Sequence, residues 1–273
     1  MSDNVYSYSK LTCFEKCQYN YYLTYVREDR VHSETIYTFL GSVCHDILEK
    51  LQRKDINNEQ AIEHFISKVE ESDMIGFEWY SEKTKKDYIE SIIHFFKNYN
   101  RYDNDTLIEQ EFLIDIDGIK IKGFIDLVVF DNDNSISIYD YKTSTKFSSS
   151  KIRQYGRQLV LYAYAMEKNN NGLVINNIGW NMLKYALING KRKLKPEIRC
   201  NIPYDEWNMP YIVNHEYSQD TKNELINFIK TTVQSIESKH DESDFLPCDI
   251  KKNYFECKMG CQNKDICKYF KNK

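Results

Sequence analysis

An aspartate on one apolar run, and an aspartate and a lysine one residue apart on the next, are the side chains best suited to chemistry. They are Asp126 in Gly123-Phe124-Ile125-Asp126-Leu127-Val128-Val129, and Asp140 with Lys142 in Ile136-Ser137-Ile138-Tyr139-Asp140-Tyr141-Lys142-Thr143. Side chains alternate faces along a strand, so Asp140 and Lys142 point the same way. The same alternation puts Phe124 and Val128 on the face of Asp126. A carboxylate among such neighbours carries a desolvation cost unless a cation compensates it. Adjacent strands lie about 5 Å apart, close enough for Asp126 and Asp140 to share one hard divalent cation. An ammonium beside that cation would orient a water or a phosphate oxygen. This is the chemistry of metal-dependent phosphodiester cleavage.

Other residues extend the set. His45, in Gly41-Ser42-Val43-Cys44-His45-Asp46-Ile47-Leu48-Glu49, offers a nitrogen ligand, with a glycine one turn before it to allow close backbone approach. Two carboxylates and an imidazole suit Mg²⁺ or Mn²⁺ with water positions left open. Gln158 and Tyr162 are four apart and stack on one helix face. That face would bring Gln158 to the metal site and Tyr162 to a DNA backbone. Taken singly, each of these side chains has an ordinary structural role open to it.

Net charge is −4, which does not advertise nucleic-acid binding. A local strip can still bind phosphates. Lys142, Lys146, Lys151, Arg153 and Arg157 form one candidate strip; Lys184 with Lys191-Arg192-Lys193-Leu194-Lys195 forms another.

The elements that must position these residues can be read from hydrophobic period. Helices are expected over 7–26, 38–53, 58–71 and 81–99, with apolar residues at three- and four-residue steps. The period then changes to two over 107–116, 119–130 and 136–141, with Asp117-Gly118 and Asp131-Asn132-Asp133-Asn134 as turns, which predicts a three-stranded meander. Helix returns at 149–168. A strand pair over 177–187 and 192–202 turns at Asn189-Gly190, and a last long helix covers 218–237. This order fits an α/β fold, with a central mixed sheet flanked by helices.

The 273 residues, 41% hydrophobic and 29% charged, suit one large globular unit with only four prolines and nine glycines. No run of eighteen apolar residues occurs, and the opening Met1-Ser2-Asp3-Asn4-Val5-Tyr6 lacks the layout of a signal peptide, so a cytoplasmic protein with no membrane partner is expected. In that compartment eight cysteines suggest metal before disulfide. Cys257-x₃-Cys261-x₅-Cys267 has the look of a zinc or iron–sulfur ligand run that lacks its fourth member. Cys13, Cys17 and Cys248 are candidates for it.

In order along the chain, these motifs resemble the PD-(D/E)XK nuclease superfamily, in particular the RecB/AddB-type branch and the CRISPR-associated iron–sulfur exonucleases. The matching residues are His45, Gly123-Phe124-Ile125-Asp126, Asp140-Tyr141-Lys142-Thr143 and Gln158-Leu159-Val160-Leu161-Tyr162, together with the opening segment Tyr8–Leu23. The resemblance implies a restriction-endonuclease-like core in a single nuclease domain over 1–273: a mainly helical part over 1–100, a catalytic sheet and helix over 105–205, and a cysteine clasp over 241–273 packed on the first helix. It implies that His45, Asp126, Asp140 and the Tyr141 carbonyl hold Mg²⁺ or Mn²⁺, with Glu111 or Glu109 in support. Lys142 would activate water, with Gln158 and Tyr162 completing the catalytic set and Lys146, Lys151, Arg153 and Arg157 on the DNA. A structural [4Fe-4S] cluster, or zinc in its place, would sit on Cys17, Cys257, Cys261 and Cys267, with Cys13 as the alternative N-terminal ligand. The expected activity is exonucleolytic cleavage of linear DNA, single-stranded or with free ends, in recombination, repair or phage DNA processing. The other reading is an inactive DNA-binding or nuclease-like subunit of a helicase–nuclease complex. The chain has no Gly-x-x-x-x-Gly-Lys-Ser/Thr loop, so a helicase or recombination partner would be a separate protein.

Overall fold

The computed structural model describes residues 4–28, 34–144, 147, 149–184, 187–188, 192–193 and 212–271. A short strand β1 (Val5–Tyr6) leads into α1 (Tyr8–Lys16), which starts where the Ser7 hydroxyl accepts the Lys10 amide. The helix expected to run on to residue 26 breaks at Cys17, whose backbone is extended. Its sulfur accepts the Asn20 amide and so caps a new turn, α2 (Gln18–Tyr21), followed by a π-helical turn over Tyr22–Val26. Hydrophobic period cannot register a one-residue break of this kind.

Three capped helices follow. A reciprocal Thr35–Thr38 capping box starts α3 (Ile36–Arg53), and Asn57 with Gln60 does the same for α4 (Asn58–Ile75), which Gly76 ends at φ 85°. Ser81 caps α5 (Glu82–Lys97).

The meander is β2 (Thr106–Ile116), β3 (Ile119–Asn132) and β4 (Ser135–Lys142). Asp117 and Gly118, at φ 52° and 85°, make the first turn, in which both central residues need positive φ. The crossover helix α6 (Ser149–Asn169) returns the chain to β5 (Val174–Met182), parallel to β4. A two-stranded ribbon, β6 (Leu187–Ile188) with β7 (Arg192–Lys193), and then β8 (Ile212–His215) and α7 (Gln219–Glu237) complete the regular elements before the tail. The expected strand over 177–187 thus starts earlier and stops at Met182. Most of its expected partner, 192–202, lies outside the described residues. The sheet runs β1-β3-β4-β5-β8, with β2 on β3, and is mixed as expected.

Helices cover both faces. Leu11, Phe14, Leu159, Leu161, Leu225 and Ile229 join Ile114, Ile121, Val128, Ile138 and Ile178 in one core. On the other side Leu40, Ile47, Leu48, Phe65, Ile92 and Phe95 join Leu127, Val129 and Tyr141. Each such buried side chain contributes about 1.5–3 kcal/mol.

The tail after α7 packs on the N-terminal turns. Phe245 meets Phe14, Tyr21 and Tyr22, the Tyr19 amide donates to the Leu246 carbonyl at 3.0 Å, and Asn263 Nδ2 donates to Asn20 and Thr24. Its other side reaches the α4–α5 connection through Tyr80–Phe255 ring contact and the Lys264–Glu78 ion pair at 2.8 Å. Among the described residues no helix is long and apolar enough to cross a membrane.

Candidate active site

The site forms where strand alternation fails. Ile121 and Ile125 of β3 face the α1–α6 core, as does Val128, while Leu127 and Val129 face the α3–α5 core. An odd-to-even switch therefore falls at Asp126. On β2, Ile114 and Phe112 face the first core and Ile108 packs on the second, and Glu109 takes the switch at φ 49°. The pairs Ile108↔Leu127 and Gln110↔Ile125 flank the two acids and set them opposite each other. The expectation that Val128 shares the face of Asp126 assumed strict alternation and does not hold; Phe124 is exposed.

His45 comes down on this pair from α3. Its ligand nitrogen and the carboxylate oxygens of Glu109 and Asp126 all lie within 4.8 Å of one another. The His45 Nε2 is 3.0 Å from the Tyr141 carbonyl, and its Nδ1 is 3.5 Å from Asp126 Oδ2. A carbonyl only accepts, so the neutral ring carries its proton on Nε2 and turns the lone pair of Nδ1 toward Asp126. The Tyr141 amide donates to Asp126 Oδ2 at 2.8 Å. Burial lowers the pKa of His45 and raises those of Glu109 and Asp126, the last raised further by Asp140. All three shifts express the cost of placing charge in a buried pocket, a cost that a divalent ion on two hard carboxylates and an imidazole would offset.

Asp140 is not in that group. It is buried, and its Oδ2 forms a close ion pair with Lys142 Nζ at 2.5 Å. Lys142 also donates to Gln158 Oε1 at 3.2 Å, and Gln158 Nε2 donates to the Tyr162 hydroxyl at 2.6 Å. The ammonium is thus held from two sides with capacity for a third acceptor. Tyr162, 5% exposed, orients Gln158 and cannot reach a DNA backbone as expected. Its ring meets Phe112, which lies across β3 at Gly123; a Cβ there would be 2.9 Å from the Phe112 ring. Gly41 has no such role, since a Cβ on it would meet Thr143 at an ordinary 3.7 Å.

The alternatives Glu109 and Glu111 separate here. Glu111 is exposed on β2 outside the cluster, and Glu109 is the residue the structure brings in. Its signal was absent from the sequence because strict alternation treats both glutamates alike.

The basic strip is partly dismantled. Arg157 is 8% exposed, bonds both carboxylate oxygens of Glu15 at 2.8 Å and stacks on Phe228, so it joins α1 to α6 instead of facing a ligand. Arg153 pairs with Glu224 at 2.6 Å on the exposed surface. Lys151 is exposed, and Lys146 lies outside the described residues.

A cavity of about 570 Å³ between α1, α6 and the tail is lined by Cys13, Cys17, Cys248, Cys257, Cys261 and Cys267. It contains the four expected cluster ligands and both alternatives. The Cys248 and Cys257 sulfurs are 3.7 Å apart, and the amides of Asn20 and Cys248 both donate to the Cys17 sulfur. Burial raises the thiol of Cys13 to about 11 and that of Cys261 to about 12, and also raises Cys248 and Cys257. Half-buried thiols converging on one cavity are a donor set for a soft metal centre. Cys44 is buried in the α3–α5 core, and Cys200 lies outside the described residues.

The family model of the PD-(D/E)XK nuclease superfamily matches residues 5–268. One of the subunits of an ATP-dependent helicase/deoxyribonuclease from Streptococcus agalactiae, in serotypes Ia, V and III, is 30% identical over 179 residues. The match takes in 60% of this chain and spans only 16% of the length of those relatives. A provisionally described exonuclease from Eubacterium rectale aligns in structure with a TM-score of 0.46 and 13% identity, covering 86% of this chain and 80% of that one.

Proposed function

The chain belongs to the PD-(D/E)XK nuclease superfamily, and from that premise we propose that it is a metal-dependent deoxyribonuclease, an exonuclease acting at or near the free ends of linear DNA. The observation that carries this reading is the convergence of His45, Glu109 and Asp126 beside a lysine held by Asp140 and Gln158.

Each residue then has a part. His45, Glu109 and Asp126, with the Tyr141 carbonyl, would hold Mg²⁺ or Mn²⁺, and Asp140 would add its carboxylate from the next strand. When bound, the ion supplies a water of lowered pKa and neutralises charge on the scissile phosphate. Lys142 directs its remaining N–H toward the attacking water or a phosphate oxygen. Asp140 and Gln158 keep the ammonium from swinging away, and Tyr162 keeps the Gln158 amide turned so that its oxygen faces the lysine.

The cysteine cavity would hold a [4Fe-4S] cluster whose work is structural. Zinc at about 2.3 Å from each sulfur brings its thiolates to roughly 3.8 Å of one another; Cys248 and Cys257 have that spacing at 3.7 Å, but among the described residues no three cysteine sulfurs lie within 4.8 Å of one another. The cubane, a larger body, suits the wider spread. By analogy with the helicase/deoxyribonuclease relatives, a separate helicase is the natural partner, in recombination, repair or phage DNA processing.

The test is digestion of end-labelled linear DNA by anaerobically purified protein with Mg²⁺ or Mn²⁺, beside Lys142→Ala checked for folding by circular dichroism. Metal-dependent release of label by the wild type alone supports the reading, and the labelled end gives polarity. A folded wild type that binds DNA without cutting it would turn the reading to a DNA-binding component of a larger complex.

A further inference from the structure

Tyr141 is gripped by α3 at two places. At its backbone, the carbonyl meets His45 Nε2 and the amide donates to Asp126. At its side chain, the buried hydroxyl lies 3.3 Å from the Tyr99 hydroxyl, which donates to Gln52 Oε1 at 3.1 Å. The Tyr99 proton is committed to Gln52, so Tyr141 donates to Tyr99. Gln52 is held at both ends of its amide: its oxygen also accepts the Tyr102 amide at 3.1 Å, and its nitrogen donates to the Tyr102 carbonyl at 2.9 Å. His45 and Gln52 are seven residues apart on α3 and share a face, about 10 Å along the axis.

We propose that the Tyr141 phenol is a positioning residue for the metal site: tied through Tyr99 to Gln52, it fixes the two peptides flanking Tyr141, whose N–H orients Asp126 and whose carbonyl orients His45. Packing alone asks only for an aromatic ring here, and phenylalanine would fill it. The hydroxyl is needed because it closes a buried chain of hydrogen bonds whose donor direction is set by Gln52, and such a connected chain restricts the geometry of its members. Through it the two ends of the α3 grip stay in register with β4. Partners of this kind typically change metal affinity 10–100-fold when lost. The inference rests on the nuclease reading for the identity of the ion, but the tether itself does not.

The experiment compares the full chain with Tyr141→Phe and with Tyr99→Phe, which cuts the same link while leaving Tyr141 intact. Mn²⁺ dissociation constants are measured by calorimetry, backbone amide exchange on the metal-free proteins, and thermal unfolding on all three. Both variants are expected to bind Mn²⁺ about 10-fold more weakly, and to exchange the Tyr141 amide faster while neighbouring β4 amides hold their rates. Unchanged Mn²⁺ affinity and unchanged Tyr141 exchange, with only a lower unfolding temperature, would overturn the proposal and leave a structural hydrogen bond. Uniformly faster exchange along β4 would overturn it too. A wild type that binds no Mn²⁺ would sink the nuclease reading, while amide exchange would still decide the tether.

Discussion

Lys142 Nζ rests 2.5 Å from Asp140 Oδ2, two positions earlier on the same strand, and the carboxylate is almost wholly buried. Removing one partner of a buried pair strands the other's charge at a cost of about 3–5 kcal/mol. Lys142 keeps some exposure, so Lys142→Ala should cost about 3 kcal/mol in the metal-free protein. Adding Asp140→Asn should recover most of it, read by urea unfolding. A double variant as unstable as the single one would show that Asp140 is not what the lysine balances.

Asp126 gives a pH signature. Burial, then Asp140, raises its pKa, so the folded protein holds this proton to higher pH than the unfolded chain does. Its ionisation therefore costs stability progressively as pH rises above about 3.9. Asp126→Asn should unfold at a higher temperature than wild type at pH 8 without metal, with the difference vanishing near pH 4. Added Mn²⁺ should stabilise the wild type and leave the variant unmoved. A variant less stable than wild type at pH 8 would contradict the buried-charge account.

Glu109 and Glu111 differ by one strand pleat and should differ in consequence. Glu109→Gln should weaken Mn²⁺ binding by at least about 10-fold, and Glu111→Gln should leave calorimetric affinity unchanged. Equal effects would mean that the bend at Glu109 does not define the site.

For the cysteine cavity, anaerobic protein should contain about four irons per chain, and Cys257→Ser should lose them together with thermal stability. Stoichiometric zinc in place of iron would reverse the choice of centre. Serine at Cys13 and at Cys248, assayed separately for iron, distinguishes a ligand from a bystander in the same cavity.

Arg157 and Lys151 should separate structure from binding. Arg157→Ala breaks a bidentate pair whose Glu15 is partly exposed and should cost about 2 kcal/mol, with little change in DNA affinity. Lys151→Ala should leave stability alone and lower the salt slope of DNA binding by about 1. The reverse pattern would return Arg157 to the DNA surface.

Element types and the meander of β2, β3 and β4 were legible because long periodic runs and caps carry them, whereas the pairing of β5 with β4 and β8 was not. Ser7, Ser81 and Ser218 mark helix starts within a residue or two. What escaped was local and non-periodic. The Cys17 break, the two-residue β1 and the four-residue β8 are too short to show a period. Lys142, Asp126 and His45 could be picked out because their types are costly where they sit. Glu109 could be named only beside Glu111 and not chosen over it, since its place depends on a backbone turn that leaves no mark in residue type. Arg157 misled for the opposite reason: charge in a strip says nothing of a partner more than a hundred residues away.

The contact between Asn263 and Asn20 bridges 243 residues, and that between Cys248 and Cys17 bridges 231. Translation runs from the N-terminus, so α1 to α7 and every strand are made before these tail residues exist. Until then Phe14, Tyr21 and Tyr22 lack Phe245, and Tyr19 lacks Tyr269. A nascent or tail-clipped chain consequently presents a bare aromatic surface beside an already folded sheet. Such a chain would be a ready client for chaperones and proteases, and only molecules translated past residue 269 could hide it.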